Sequence, residues 1–204
     1  MVNIMDELIQ VIKILDTDQV EKINKYADTL KLEPSRIFNS GDNPDIINTS
    51  IRSSTSAFLN DNAPETIMIT KAMNTALLEY KRRCTKIHPN FSNYPVPGGV
   101  NTYSQREALQ VLDYTKGQQY KFHHDAGENP KDDTYHRKIS VILYLKNATK
   151  GGGTIFPHTL FKPSVGYGLI FPSNWCYPHA GMPVIEGRKR VAVTWYYVMS
   201  NNYG

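Results

Sequence analysis

Cysteine is nearly absent from this chain: Cys84 and Cys176 are the only two in 204 residues. That excludes a disulfide framework and makes a reducing compartment the simpler setting, although one bridge between the pair stays open. Also missing is any run close to the ~18–20 apolar residues that a membrane helix needs. The opening stretch, MVNIMDELIQVIKILD, places Asp6 and Glu7 ahead of its apolar residues and shows neither a basic leader nor a small-residue cleavage site. The expectation is an intracellular, cytoplasmic protein without a membrane partner, from a source that a bacterium or virus would satisfy. Strong charge is lacking too. The formal net charge is +4, and the basic clusters KRR (81–83) and RKR (188–190) are short enough to be solvated faces, so no nucleic acid partner is expected. No internal repeat is visible.

What is present divides into two parts. In TDQVEKINKYADTLKL, Val20, Ile23, Ala27 and Leu30 recur at helical spacing while Glu21, Lys22 and Lys25 stay wet, which predicts a packing helix. A second helix is expected from Asn62, as cap, with Glu65 three residues on and a stripe of Ile69, Ala72, Met73, Ala76, Leu77 and Tyr80. Between them, DIINTSIRSSTSAFL alternates Ile51, Ser53, Thr55 and Ala57 against Arg52, Ser54, Ser56 and Phe58, as a strand does. HPNFSNYPVPGGVNTYSQ (88–105), rich in Pro, Gly, Asn and Ser, reads as one long loop. From Glu107 onward come short β-type runs punctuated by glycine and proline, including ALQVLDY, QQYKFHH, RKISVILYL, YGLIFP and RVAVTWYYVM. These facts predict an α+β, mainly β fold: a sandwich or barrel core with N-terminal helices packed outside it. Residues 1–104 would support a core spanning 105–204, the two together forming one compact domain.

The chain has six histidines. If QQYKFHHD is a strand, its side chains alternate, so His123 and Asp125 share one face and His124 takes the other. Two protein ligands leave a metal site incomplete. The best third is His179, in WCYPHAGMPVIEGRKR, on a strand that can run beside the first. His88 and His158 sit next to proline in loop-like contexts, and His136 lies beside Arg137, whose charge disfavours a cation. Two histidines and a carboxylate make the facial triad of non-haem Fe(II) oxygenases, with open coordination positions for chemistry. Spacing alone leaves a structural or fortuitous pair equally open. Lys189 follows across a tight EGRK turn, so the next strand can point its ammonium into the same cavity. There it suits the far carboxylate of a dicarboxylate co-substrate, where the plain alternative is a surface lysine on a hairpin.

Read together, EALQVLDYTKGQQYKFHHD, RKISVILYL, GGGTIFP and HAGMPVIEGRKRVAVTW resemble the prolyl 4-hydroxylase family of Fe(II)- and 2-oxoglutarate-dependent dioxygenases, in family order and over most of 105–198. IRSSTSAFL resembles the Arg-x-Ser strand of the collagen-type enzymes. The resemblance implies a double-stranded β-helix, or jelly roll, with iron held by His123, Asp125 and His179. It further implies that Lys189 binds 2-oxoglutarate, with Tyr114, Tyr144 and Thr154 lining the same pocket. Tyr120, Arg137 and Trp195 would face substrate, with Arg52 and Ser54 on the approaching strand. The implied activity is O2-dependent hydroxylation of proline in a peptide or protein, coupled to decarboxylation of 2-oxoglutarate to succinate and CO2, with ascorbate as reductant. A lysyl or other side chain, a free amino acid or a nucleobase are the alternative substrates, and a non-catalytic jelly-roll binding module is the remote rival. Monomer and homodimer both stay open. The chain departs from the pattern at 88–105 and at Tyr197, where the collagen-type enzymes often carry histidine; both bear on peptide choice. AGENPKDDTYHR (126–137) is expected to form a lid over the groove.

Overall fold

The computed structural model describes residues 4–38, 45–93, 102–130 and 133–200. In chain order, the strands that frame the site are β1 (Gln10–Lys13), β2 (Glu33–Pro34), β3 (Thr55–Phe58), β4 (Thr102–Arg106), β5 (Gln110–Tyr114), β6 (Tyr120–His123), β7 (Arg137–Lys146), β8 (Thr154–Ile155), β9 (Leu160–Phe161), β10 (Tyr167–Pro172), β11 (His179–Gly181) and β12 (Lys189–Ser200). The helices that cover them are α1 (Thr17–Asp28) and α2 (Pro64–Ile87). The major, eight-stranded sheet runs β1-β10-β7-β12-β5-β3-β2, with β4 also paired to β12; the minor sheet runs β9-β8-β11-β6. Every pairing between these strands is antiparallel. The mainly β, jelly-roll expectation is met. Among the described residues no helix is long and apolar enough to cross a membrane.

Period-two alternation sorts the major sheet into two cores. Ile139, Val141, Leu143, Val111, Ala192 and Tyr196 face one way and join Ile23, Ile69, Met73 and Leu77 of the helices in one buried cluster. Tyr144, Leu112, Tyr114, Val191, Val193, Leu169 and Phe171 face the other way and form a second cluster with Phe156 and Tyr177, which come from the region of the minor sheet. Strands β7 and β12 are covered on both faces, so they read as almost unbroken apolar runs and not as alternating ones.

Helix α1 begins with a complete capping box: Asp16 accepts from the Gln19 N–H at 2.8 Å, and the Asp16 N–H donates to the Gln19 side chain at 3.0 Å. For α2 the expected cap is not used. The N-cap residue is Ala63, which makes no side-chain cap bond, and Pro64 opens the helix where its missing N–H costs nothing. The Asn62 N–H instead turns back to the Asn60 side chain at 2.9 Å. Pro64 supplied the better start signal, because its fixed φ is already helical.

The single long loop expected at 88–105 is shorter at both ends. A 3₁₀ turn covers Pro89–Asn93, and β4 pairs with the far half of β12, Tyr196 opposite Arg106; residues 94–101 lie outside the described set. Pairing against a long central strand overrode a weak local β signal. In 51–58 the alternation is real, but its polar side is the buried one: Arg52, Ser54 and Ser56 are all below a tenth exposed.

Candidate metal centre

Strands β6 and β11 lie side by side in the minor sheet with His123 directly opposite His179, and this register brings together residues separated by more than fifty positions. Their ring centroids are 4.4 Å apart. Asp125 is two residues beyond His123 and past the end of β6, so strand pairing alone does not place it. Its backbone N–H donates to the Ser173 carbonyl at 3.2 Å, as does that of Ala126 at 2.9 Å, and these bonds carry the strand's alternation one step further. The Ser140 hydroxyl, on β7, donates to Asp125 Oδ2 at 2.6 Å, and Ser140 and Ser173 share a 2.8 Å bond. Neither serine carried a spacing signal, since each acts through a neighbour in space.

The result is a cluster whose ligand atoms all lie within 4.8 Å of one another. Asp125 Oδ1 is 3.5 Å from His123 Nε2, and Oδ2 is 3.7 Å from His179 Nε2. Both imidazoles are turned the same way. Nδ1 of His123 lies 2.8 Å from the Lys121 carbonyl, and Nδ1 of His179 lies 3.1 Å from the Tyr177 carbonyl. A carbonyl only accepts, so each Nδ1 carries the proton, and each Nε2 offers its lone pair to the cluster. Burial pushes His179 down to about 4, with the neighbouring His123 and Lys189 acting the same way against Asp125. Burial would raise the Asp125 carboxyl, but His179, His123 and the Ser140 hydroxyl outweigh it and hold the group below the usual carboxylate range. A neutral His179 imidazole beside an ionised Asp125 carboxylate is the ligand state a divalent metal requires. This donor set fits Fe(II).

The cluster opens into a cavity of about 920 Å³ between the two sheets. At one end is Lys189, the first residue of β12, delivered after the turn at Gly187, whose φ of +81° favours glycine. Lys189 is 3% exposed, and among the described residues its ammonium makes no ion pair or hydrogen bond. Its Nζ lies 5.2 Å from each of the Tyr114 and Tyr144 ring centroids, and the Tyr144 hydroxyl shares a 2.6 Å bond with Thr154 Oγ1. Burial drops its pKa to about 7. The next residue, Arg190, points to the opposite face of the sheet and is equally buried, but it meets Asp113 at 2.9 Å and Asp28 at 2.7 Å. One buried cation has its counter-ions built in, and the other faces a cavity without one.

At the metal-facing end of the groove, the Tyr120 ring stacks on His123, with centroids 3.6 Å apart and planes 16° from parallel. The Arg52 guanidinium sits 4.8 Å above the same ring. Arg52 donates to the Arg36 carbonyl at 3.0 Å and to Ser54 Oγ at 3.3 Å, while Ser54 lies behind it, bonded to Ser35 Oγ at 2.9 Å. Trp195 and Arg137 form another wall, the guanidinium 3.7 Å from the indole centroid. His124 turns away: its Nδ1 bonds the Ala126 carbonyl at 2.7 Å, and its Nε2 is 3.6 Å from Glu128. Of the segment expected to form a lid, 131–132 lie outside the described residues; the Gly127 N–H donates to the Thr134 carbonyl at 3.1 Å, tying its two limbs together.

Residues 109–197, which hold every residue of the metal cluster and Lys189, match the family model of the 2OG-Fe(II) oxygenase superfamily. The chain is 34% identical over 127 aligned positions to prolyl 4-hydroxylase 2 of Arabidopsis thaliana, covering 46% of this chain and 42% of that protein. The chain spans less than half the length of the curated relatives it matches. Among solved structures, a viral collagen prolyl hydroxylase from Paramecium Bursaria Chlorella virus-1, in complex with 2OG, superposes with a TM-score of 0.66 at 21% identity, over 95% of this chain and 98% of that one. A prolyl hydroxylase from Trichoplax adhaerens, bound to a hypoxia inducible factor peptide fragment, gives a TM-score of 0.60 at 18% identity, over 94% of this chain and 84% of that one. These likenesses show a shared jelly-roll fold that takes in the N-terminal part as well as the matched segment.

Proposed function

We propose that the chain is a peptidyl-proline 4-hydroxylase that uses Fe(II), 2-oxoglutarate and O2, with ascorbate as the supporting reductant. The observation that carries the reading is the buried, unpaired ammonium of Lys189 in the same cavity as the His123, Asp125 and His179 cluster. A dianion with one end at the metal and the other at Lys189 satisfies both, and the pair it forms is charge-assisted and shielded from water. The bound iron supplies the redox chemistry that couples decarboxylation of the co-substrate to oxidation of an unactivated C–H bond.

The chain's own groups do the rest. His123 and His179 present Nε2 because carbonyl oxygens fix their Nδ1 protons, and Asp125 stays ionised. Phe156 and Phe171, with ring centroids 5.4 and 4.8 Å from that of His179, keep the inner side of the site dry. Tyr114, Tyr144 and Thr154 would line the co-substrate end. Tyr120, Trp195, Arg137 and Arg52, with Ser54 supporting Arg52 from behind, frame the outer groove, where an extended proline-containing chain would enter with little further ordering cost. The prolyl hydroxylase names of the matched relatives, and the peptide bound by the Trichoplax neighbour, support proline as the target. We take residues 1–104 as the support for the 105–204 core.

The test is a peptide panel of collagen-like, Pro-Ala-rich and polyproline sequences, incubated with Fe(II), 2-oxoglutarate and ascorbate, with succinate and peptide mass both followed. Succinate formation matched by a gain of about one oxygen mass on proline is expected. Succinate without modified proline would overturn the substrate and leave the oxygenase.

A further inference from the structure

Arg137 faces the cavity, yet its guanidinium is already committed inside the protein. Nε and Nη2 donate to the two carboxylate oxygens of Glu107 at 2.6 and 2.8 Å, and Nη1 donates to the backbone carbonyl of Asp125 at 3.0 Å. The Trp195 indole covers its face. Glu107 is held as firmly as it holds. Its N–H donates to the Trp195 carbonyl at 2.9 Å, its own carbonyl accepts from the Thr194 hydroxyl at 2.7 Å, and the Tyr197 hydroxyl donates to Oε1. Glu107 therefore sits in the short gap between β4 and β5, stitched to β12 by main chain and side chain.

This arrangement fixes the base of the 126–136 loop. Asp125 stands where that loop leaves the sheet, and Arg137 stands where it returns as β7. The Arg137–Asp125 bond closes the base, and it needs a planar fork that reaches two acceptors in different directions. Without Glu107 the guanidinium keeps the Asp125 carbonyl and the Trp195 face but loses its carboxylate partner, the group that sets its orientation through two bonds.

We propose that Glu107 is a positioning residue for the metal ligand Asp125, acting through Arg137, with the Tyr197 hydroxyl locking the carboxylate. The inference rests on the reading that His123, Asp125 and His179 hold a metal. It changes the part given to Arg137: its first task is to hold the carbonyl of a ligand, and any contact with substrate comes after.

The test is Mn(II) titration of metal-free protein followed by electron paramagnetic resonance, together with steady-state kinetics. Glu107→Gln keeps the shape but turns one acceptor into a donor facing the guanidinium. It should weaken Mn(II) binding about tenfold, as loss of outer-shell support does, and lower kcat for succinate formation, while KM for the peptide changes little. Arg137→Lys should weaken Mn(II) binding and lower kcat in the same way, because an ammonium cannot span Glu107 and the Asp125 carbonyl together. The double variant should be little worse than either single one, since both break one connection. Far-ultraviolet circular dichroism and thermal unfolding establish that each variant folds, and Arg137→Lys carries the test if Glu107→Gln does not. Wild-type Mn(II) affinity in the folded variants, with only the peptide KM raised, would overturn the proposal and leave the metal reading standing. No Mn(II) binding by the wild-type protein would overturn both.

Discussion

At the scale of single residues, the contrast between Lys189 and Arg190 carries the most information. The two are neighbours in sequence and similarly buried, but alternation sends them to opposite faces of β12, where only Arg190 meets carboxylates. Burial lowers Lys189 from 10.5 to about 7, whereas an unfolded chain keeps the proton to the usual value. Between those pH values the unfolded state binds more protons, so this group's contribution to stability is fully present only above the unfolded pKa and is lost as pH falls towards 7. Binding of a dianion requires the charged form. Near pH 7 the free protein should take up about half a proton with 2-oxoglutarate, approaching one proton by about pH 8.5, and affinity should fall as pH rises above 7. Calorimetry in phosphate and Tris buffers reads this directly, and buffer-independent heats would contradict it. Lys189→Met should weaken 2-oxoglutarate binding by about 2–5 kcal/mol. The same change should stabilise the free protein by roughly 1–2 kcal/mol, the usual trade at a functional site, visible as a higher Tm. Asp125→Ala should abolish succinate formation, since it removes a ligand and with it the carboxylate that the Ser140 hydroxyl bonds. Persistent turnover would sink the triad.

At the scale of elements, the helices and central strands were legible because their signals are local. Val20, Ile23 and Ala27 keep their helical spacing on the buried face of α1, and the stripe through Ile69, Met73 and Leu77 does so on α2. The start of α2 and the strand β4 were not legible. The first was decided by Pro64 over Asn62, and the second by a partner strand ninety residues away. Leu77, fully buried between α2 and the major sheet, gives a clean test of that packing. Leu77→Ala should cost about 2–5 kcal/mol in chemical denaturation, with the metal centre unaltered if the variant stays folded at the assay temperature. The turn before β10 is a second test. Gly166 has φ +84°, and an added Cβ would meet the Leu15 carbonyl oxygen at 2.5 Å. Gly166→Ala should therefore be destabilising by more than 1 kcal/mol, from backbone strain and contact together, and a Tm equal to wild type would contradict the turn's geometry.

At the scale of the whole molecule, the cavity exists because two sheets of unequal width face each other, and among the described residues only the wider one is backed by the long helices α1 and α2. His123, Asp125 and His179 come from the minor sheet and its edge, while Lys189, Tyr114, Tyr144 and Trp195 come from the major sheet. The N-terminal part is not an appendage to this arrangement. Strands β1, β2 and β3 extend the major sheet at its two ends, and α1 is tied to β5 and β12 by Arg190, which bonds Asn24, Asp28 and Asp113. Removing residues 1–34 should expose the apolar face of β7, β12 and β5, so the remaining chain is expected to be insoluble or to bind hydrophobic dyes, as expression and dye fluorescence would show.

The sequence by itself determined the residue types and their periods: an H-x-D at the end of a strand, a distant histidine, a lysine after a tight turn, and apolar runs long enough for a covered sheet. Those follow from local chemistry and from alternation along one strand. Only the tertiary structure decided that His179 lies opposite His123, that Ser140 and Ser173 hold Asp125 beyond the strand's end, that Lys189 lacks a counter-ion while Arg190 has two, and that Glu107 holds Arg137 against the ligand's carbonyl. Each of these depends on register and sheet-to-sheet packing between residues far apart in the chain, and no local pattern encodes which partner a buried polar group will meet.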